Sequence, residues 1–331
     1  MPNKKKRRGG GARRASPSWA AKLNAHWKAW AACGVLALIL VPVVLLAVRR
    51  RPDVRSDPIW KEFSGTRAIG HVQALVGLGP RPPQSEAIQK ARAYIRQTLE
   101  ATGWQVIEQP FTDDTPRGRV AFVNLIARRP DQSDRTKLFF IGSHYDTKTF
   151  DSIQFVGAND GGSSTGALLE MGRVLNQHPD LAAQIELIFF DGEEAYEGFS
   201  PDDGLYGSRF FASKARKAKK VSTYRGGIVW DMIGDRNLTI TLPIDSPPKM
   251  AEGIFAAAEA LKVRDHFSYL NDRMIDDHTP FNVVGIPTID LIDFDYPPWH
   301  TAGDTMDKLS AESLQTVGAV TLYYLVRTAF P

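Results

Sequence analysis

Acidic and imidazole side chains stand directly after several apolar runs of this 331-residue chain. His144 ends one run, the pair Glu193 and Glu194 follows a second, Asp231 ends a third, and His300 follows a fourth. A catalytic zinc ion typically takes three protein ligands from His, Asp and Glu and keeps one position open. The residue types therefore predict metal chemistry, although each of these groups alone is a weak signal.

The candidate zinc ligands are Asp160, Glu194 and His300. Asp160 stands in the run GANDGGSS, whose glycines let the backbone approach a neighbour closely. Glu193 is adjacent to a candidate ligand, so it can stand beside the metal as a general base without binding it. Each residue also has an ordinary interpretation: Asp160 as a helix N-cap, the glutamate pair as solvated surface, and His300 as a hydrogen-bonded loop residue.

The elements that must position these residues alternate between strands and helices. Apolar runs and alternating patterns predict strands at 105–111, 120–128, 137–143, 185–191, 226–233 and 287–292. Helical spacing predicts helices within 60–77, 84–102, 163–178, 207–219, 248–262 and 310–328. This order indicates an α/β fold with a mostly parallel central sheet covered by helices on both faces. Ligands of such sheets bind beyond the carboxyl ends of the strands, which is where the candidate residues fall.

An uncharged segment of twenty residues, 29–48, precedes this region. At about 1.5 Å rise per residue it spans roughly 30 Å, the thickness of a bilayer core, so it predicts one N-terminal transmembrane helix. A cleaved signal peptide is the alternative, but its apolar region is usually shorter and ends at small residues rather than at Arg49-Arg50-Arg51. We therefore expect a signal anchor.

Charge is distributed unevenly along the chain. Residues 1–55 hold 13 of the 41 Lys and Arg residues but one of the 37 acidic residues, so the remainder carries a net charge of −8. The folded part therefore has no basic surplus for nucleic acid. The basic excess before residue 29 favours an N-terminus in the cytoplasm and a large domain outside, in a periplasm or a secretory lumen. The only cysteine, Cys33, lies in the apolar segment.

These observations divide the chain into four parts. Residues 1–28 form a basic cytoplasmic tail, 29–48 a transmembrane anchor, 49–57 a linker, and 58–331 a catalytic domain. The tail could also be read as a nucleic-acid arm, but its place beside a membrane span favours roles in topology and in contact with anionic lipids.

Six motifs carry a resemblance to a known family. They are IGSHYDTK, GANDGGSSTGALLEM, LIFFDGEEAYE, LYGSR, DDHTPF and PPWHT. Together they resemble the zinc aminopeptidase superfamily and, within it, the glutaminyl cyclases, of which FFDGEEA followed by SPDDGLYGSR is characteristic. The resemblance covers roughly residues 60–330. It implies an enzyme that converts the N-terminal glutamine of peptides or proteins to pyroglutamate with release of ammonia.

The resemblance also implies roles for single residues. Asp160, Glu194 and His300 match the zinc ligands, and one zinc ion per chain is expected. Glu193 matches the catalytic acid and base, and zinc would polarise the γ-carboxamide of the substrate. The remaining matches are Asp231 and Asp276, which assist the base, Phe199 and Trp299, which wall the substrate pocket, and His144 and Asp146, a pair that helps to hold a second metal ion in the aminopeptidases.

The sequence departs from the animal cyclases at several positions. Asp290 stands where they carry a histidine in the hydrogen-bond network of the active site, and Ser143 and Thr165 replace a cysteine pair. The run HTAGDT after His300 is more similar to an aminopeptidase. A two-zinc aminopeptidase of the same fold is therefore the alternative function, with a second metal ion at His144 and Asp231 and with Asp160 bridging the two ions. A non-catalytic ectodomain is a third possibility.

Overall fold

The computed structural model describes residues 58–132 and 137–330. The tail, anchor and linker expected at 1–28, 29–48 and 49–57 lie outside the described residues. In the part of the chain that the structure does describe, no helix has the length and apolar character needed to cross a membrane.

One eight-stranded sheet organises the described residues. The strands are β1 (Gln105–Thr115), β2 (Gly118–Arg128), β3 (Leu138–His144), β4 (Ile185–Phe190), β5 (Tyr224–Asp231), β6 (Ile240–Leu242), β7 (Phe267–Tyr269) and β8 (Thr288–Ile292). Their order across the sheet is β1-β2-β4-β3-β5-β8-β6-β7. The centre, β4-β3-β5-β8, is parallel, as is the edge pair β6-β7. The remaining neighbours, β1-β2, β2-β4 and β6-β8, are antiparallel. The predicted α/β fold is thus confirmed, but the sheet is mixed: its centre is parallel as predicted, whereas three of its seven strand pairs are antiparallel.

Helices cover both faces of this sheet. They are α1 (Gly65–Val76), α2 (Glu86–Ala101), α3 (Gly162–Asn176), α4 (Pro179–Ala182), α5 (Tyr206–Lys217), α6 (Pro248–Ala260), α7 (His278–Val284) and α8 (Ala311–Tyr324). Successive side chains of β3 belong to different apolar clusters, because Phe139 packs with the larger cluster and Phe140 with a smaller one. The smaller cluster takes Phe211 of α5 and Phe281 of α7, whereas α1, α2, α3, α6 and α8 contribute to the larger.

Several predicted boundaries move in the structure. The first helix begins at Gly65 rather than near Trp60, because the hydroxyl of Ser64 caps it by accepting from the backbone N–H of Arg67 at 3.3 Å. Strands β1 and β2 are each longer than predicted and form a continuous hairpin. The interpretation of Asp160 as an N-cap is wrong, since the N-cap of α3 is Gly161, which makes no side-chain capping bond.

Candidate active site

Three side chains converge beyond the carboxyl ends of the central strands. One ligand atom from each of Asp160, Glu194 and His300 lies within 4.8 Å of the others. The Nε2 atom of His300 is 3.0 Å from Oε2 of Glu194 and 3.4 Å from Oδ2 of Asp160. Two carboxylates and one imidazole are a donor set that suits zinc. Asp160 Oδ2 is buried and has no hydrogen-bond partner in the described ranges, which fits an atom available to a cation.

Asp160 is held in place through its backbone. The carboxylate of Asp304 accepts from the backbone N–H of Asn159 at 2.8 Å and from that of Asp160 at 3.1 Å. Tyr296 donates its hydroxyl to Asp304 at 2.7 Å and so fixes the orientation of that carboxylate. The next residue, Gly161, has a φ of +74°, and a Cβ there would lie 2.7 Å from the carbonyl oxygen of Asp146. A side chain at this position would therefore displace the ligand loop.

The adjacent glutamates are oriented by Asp146. Its two carboxylate oxygens accept from the backbone N–H groups of Glu193 at 3.1 Å and Glu194 at 3.4 Å. Glu194 Oε1 also accepts from the backbone N–H of Lys148 at 3.1 Å. Both glutamates are buried, so neither is the solvated surface residue that a Glu-Glu pair usually is.

A second group of metal-ligand type shares Asp160. His144 Nε2 lies 3.2 Å from Oδ1 of Asp231 and 3.3 Å from Oδ1 of Asp160. Burial alone would lower the pKa of His144, but the carboxylates of Asp146, Asp160 and Asp231 outweigh it and raise that pKa well above the usual value. Ligand atoms of these residues also lie close enough together to hold a metal ion.

Further buried acids lie near Glu193. Burial is the main cause that raises the pKa of Glu193 well above the ordinary value, and the charges of Glu194 and Asp276 add to it. Burial, assisted by the charges of Asp290 and Asp231, also raises the pKa of Asp276. Such strongly raised carboxyl pKa values in one place are typical of groups that hold or transfer protons.

Asp290 lies inside this acid cluster. It is fully buried at the third of the five paired positions between β5 and β8, where its Cα partner is Val229. Burial, followed by the charge of Asp231, raises its pKa. Its Oδ2 atom is 3.4 Å from Nδ1 of His278, and neither oxygen has a hydrogen-bond partner among residues 58–132 and 137–330. The sequence did not indicate His278, because a histidine inside DDHTPF has no recognisable spacing to Asp290.

Aromatic rings surround the imidazole of His300. Trp299 stacks on it with ring centroids 4.0 Å apart, and Phe294 packs on Trp299 at 5.1 Å. Phe150 and Phe155 meet the imidazole edge-on at 5.9 and 5.8 Å. His300 itself has a φ of +53°, a left-handed conformation that is strained for a non-glycine residue and is found mainly at functional sites.

Arg81 and Asp304 were not among the residues predicted from the sequence. Arg81 is fully buried and donates to the carbonyl oxygens of Val156 at 2.8 Å and Gly157 at 3.1 Å. Burial lowers its pKa to about 10, so the guanidinium stays charged at neutral pH beside the acids of the site. Asp304 could have been suspected from the run HTAGDT, whereas nothing in the run around Arg81 indicates a buried cation.

The family of this chain follows from comparison with known proteins. A model of peptidase family M28 matches residues 124–325. The glutaminyl-peptide cyclotransferase of Gloydius blomhoffii is 30% identical over 282 residues, which cover 74% of this chain and 76% of the relative. The glutaminyl-peptide cyclotransferase of Bos taurus is 30% identical over 278 residues, covering 72% of this chain and 76% of the relative.

Solved structures show the same fold. A glutaminyl cyclase from an Acidobacteriales bacterium superimposes with a TM-score of 0.75 at 33% identity, covering 81% of this chain and 96% of that one. A zinc-dependent exopeptidase from Parabacteroides distasonis superimposes with a TM-score of 0.73 at 26% identity, covering 80% of this chain and 99% of that one. Similarity to both kinds of enzyme means that the fold alone does not distinguish them.

Proposed function

We propose that this chain, which belongs to peptidase family M28 and within it to the glutaminyl-peptide cyclotransferases, converts the N-terminal glutamine of peptides and proteins into pyroglutamate and releases ammonia. The observation that carries the proposal is the buried carboxyl group of Glu193, adjacent to a group of metal ligands and continuous with further acids of raised pKa. This is an arrangement for proton transfer beside a Lewis acid.

Asp160, Glu194 and His300 would hold one zinc ion per chain, and the orphaned Oδ2 of Asp160 supports this assignment. Bound there, zinc would act as a Lewis acid on the γ-carboxamide oxygen of the substrate glutamine.

Glu193 would act as the base and then as the acid. It takes a proton from the α-amine of the substrate as that nitrogen forms a bond with the γ-carboxamide carbon. It then gives this proton to the carboxamide nitrogen. The bond between that nitrogen and the γ-carbonyl carbon breaks, and ammonia leaves. Asp231 and Asp276 would assist this base. Burial and then the charges of Glu194 and Asp276 raise the pKa of Glu193, and the charge of Asp231 contributes to the raised pKa of Asp276.

The substrate pocket would be walled by Phe199 and Trp299. Cyclisation requires that the glutamine side chain fold back on its own amine, and a restricted pocket lowers the entropic cost of that geometry. Asp290 would hydrogen-bond within the acid cluster rather than bind zinc, in the place where animal cyclases carry a histidine.

The test is incubation of the purified protein with a peptide that begins with glutamine. We expect the peptide mass to fall by one ammonia, with no change for a matched peptide that begins with alanine. Release of the first residue from either peptide would contradict the proposal.

The alternative is a two-zinc aminopeptidase of the same fold. His144, Asp160 and Asp231 favour it, because their ligand atoms could hold a second metal ion. Similarity to an enzyme described as a zinc-dependent exopeptidase agrees with it. The cyclase remains the better supported function, since two relatives at 30% identity and a solved structure at 33% identity are glutaminyl cyclases.

We also propose that the chain is a single-pass membrane protein anchored through residues 29–48. The charge distribution of the sequence supports an N-terminus in the cytoplasm and a catalytic domain at 58–331 in a periplasm or a secretory lumen.

A further inference from the structure

An apolar groove lies between helices α5 and α7, beside the candidate active site. It has a volume of about 570 Å³, and its apolar lining includes Phe199, Leu205, Ala212, Ile275, Pro280 and Val283; we refer to it as the α5–α7 groove. Ile275 is 55% exposed and Val283 is 74% exposed. Two large apolar side chains so exposed in one concave surface are typical of a binding site.

Two observations place the α5–α7 groove next to the acid cluster. A Cβ placed on Gly204 would lie 2.7 Å from the ring of Phe199 and 3.2 Å from the carbonyl oxygen of Glu193, so the ring and the backbone of the proposed base are close neighbours. On the other wall, Ile275 directly precedes Asp276. A substrate peptide that extends from the candidate active site past Phe199 therefore enters the groove.

The groove and the acid cluster differ in charge. Arg209 and Arg216 lie along the groove, on α5. Arg209 is already engaged, since its guanidinium donates to the carbonyl oxygen of Pro201 and lies 3.5 Å from Asp113. Arg216 is exposed and forms no ion pair with any residue in the described part. The outer end of the groove therefore suits a carboxylate.

We propose that the α5–α7 groove binds the segment of a substrate peptide that follows its N-terminal glutamine. It takes an apolar side chain against Ile275 and Val283, and Arg216 pairs with an acidic residue further along. The groove therefore selects peptides and proteins with an apolar residue and then an acidic one near the start. This inference rests on the proposed cyclase function.

The first experiment compares peptides within one enzyme. Glutamine amide, which is too short to reach the groove, is the reference, and alanine peptides that begin with glutamine carry a single leucine at the second, third or fourth position. At one of these positions, leucine should give a kcat/KM about tenfold higher than that of the all-alanine peptide, which is the effect of filling a small apolar pocket. In Val283→Asp, the kcat/KM values of these two peptides should be nearly equal. Ile244→Asp is the control, since Ile244 is equally a large exposed residue, at 55%, but does not line the groove.

The same design tests the outer end. A glutamate placed after the preferred leucine should raise kcat/KM further, and Arg216→Glu should abolish that gain. Lys217→Glu, which makes the same charge change at the next exposed residue, should preserve it. A wild-type enzyme without preference among the peptides, or a preference that survives Val283→Asp, would overturn the proposal.

Equilibrium binding separates this proposal from the proposed function. In the full chain carrying Glu193→Gln, the Kd of the leucine peptide should be about tenfold lower than that of the alanine peptide, and Val283→Asp should remove the difference. If glutamine amide is not cyclised but this difference in Kd is found, the function is wrong and the groove still binds peptides. If glutamine amide is cyclised and the two Kd values are equal, the groove proposal alone fails. Self-association lost in Val283→Asp would instead identify a second copy of the chain as the occupant and overturn the proposal.

Discussion

The adjacent residues Glu193 and Glu194 have different surroundings and therefore different proposed roles. Glu194 contacts His300 at 3.0 Å, whereas burial and then the charges of Glu194 and Asp276 raise the pKa of Glu193. Glu193→Gln keeps the size of the side chain but cannot transfer a proton. We expect it to lower kcat at least about a hundredfold, the usual contribution of a general base, while zinc remains bound. Peptide cyclisation and metal analysis on the same preparation provide the measurement.

Glu194→Gln is the matched control for this change. It removes one negative ligand of the proposed zinc site, so the zinc content should fall and added zinc should partly restore activity. The opposite pattern, with zinc lost from Glu193→Gln and kept by Glu194→Gln, would mean that the roles of the two residues are reversed.

Asp290 tests how the acid cluster works. Burial raises the pKa of Asp290 well above its usual range, so this carboxyl group keeps its proton to a higher pH than an ordinary aspartate and can donate that proton in a hydrogen bond to the neighbouring Asp276. Asp290→Asn should lower the rate about tenfold with zinc retained, as expected for a partner that orients a catalytic group. The wild-type rate should fall as the pH rises through the raised pKa of Asp290, because the donor is then lost. The Asn variant cannot lose this proton, so its pH profile should lack that limb.

Asp290→Ala separates positioning from packing. It should reduce the rate more than Asp290→Asn, because no group remains to hydrogen-bond with Asp276. Rates for both variants equal to that of the wild type, at every pH, would make Asp290 a purely structural residue.

The sequence indicates the ligand residues better than it indicates their supports. Asp160, Glu194 and His300 have the types and positions of ligands, and the structure brings them together. Asp304 and Arg81 act on the backbone of the site across large distances in sequence. No local pattern encodes such contacts, because they form only once the sheet has assembled.

At the scale of elements, the long apolar strands were predictable and the short ones were not. Strand β4, with the sequence IELIFF, is entirely buried, as its apolar run predicts. Strands β6 and β7 have three residues each, and helix α7 has seven, so none is long enough to show a period. Their existence depends on the edge of β8 and on the packing of α7 against α5, which are tertiary effects.

The close contact between α1 and α3 gives a prediction about stability. A Cβ on Gly166 of α3 would lie 2.5 Å from Cγ2 of Val72 and 2.9 Å from its backbone nitrogen. Gly166→Ala should therefore lower the free energy of unfolding by about 2 kcal/mol, since the backbone of α1 would have to move. Urea unfolding followed by tryptophan fluorescence is the measurement.

Gly70→Ala in α1 is the control for Gly166→Ala. Gly70 is exposed, lies inside α1, and has no atom within 4 Å of a Cβ placed on it. Alanine should stabilise the protein here by about 1 kcal/mol, because it favours the helix more than glycine does. Equal effects of the two substitutions would show that the contact between α1 and α3 is looser than the structure indicates.

At the scale of the whole molecule, the proposed anchor determines where the enzyme meets its substrates. The basic excess before residue 29 predicts that the tail stays in the cytoplasm. Protease added to intact cells or spheroplasts should therefore reach the catalytic domain and spare the tail. Protection of the domain with digestion of the tail would reverse the orientation, and a mature protein that begins after residue 48 would restore the signal-peptide interpretation.

The number of metal ions distinguishes the two candidate enzymes. A cyclase has to polarise one carboxamide oxygen, so one zinc ion suffices, whereas a two-metal aminopeptidase needs a second ion beside the first. His144 and Asp231 are placed to serve either enzyme, so ligand geometry does not decide between them.

We predict one tightly held zinc ion per chain, measured by elemental analysis after dialysis. Removing it with a chelator should abolish cyclisation, and about one equivalent of zinc should restore it. His144→Ala, which removes a ligand of the second group only, should leave the zinc content at one. Two zinc ions per chain, together with steady release of N-terminal leucine or alanine, would instead establish an aminopeptidase whose first metal site is Asp160, Glu194 and His300.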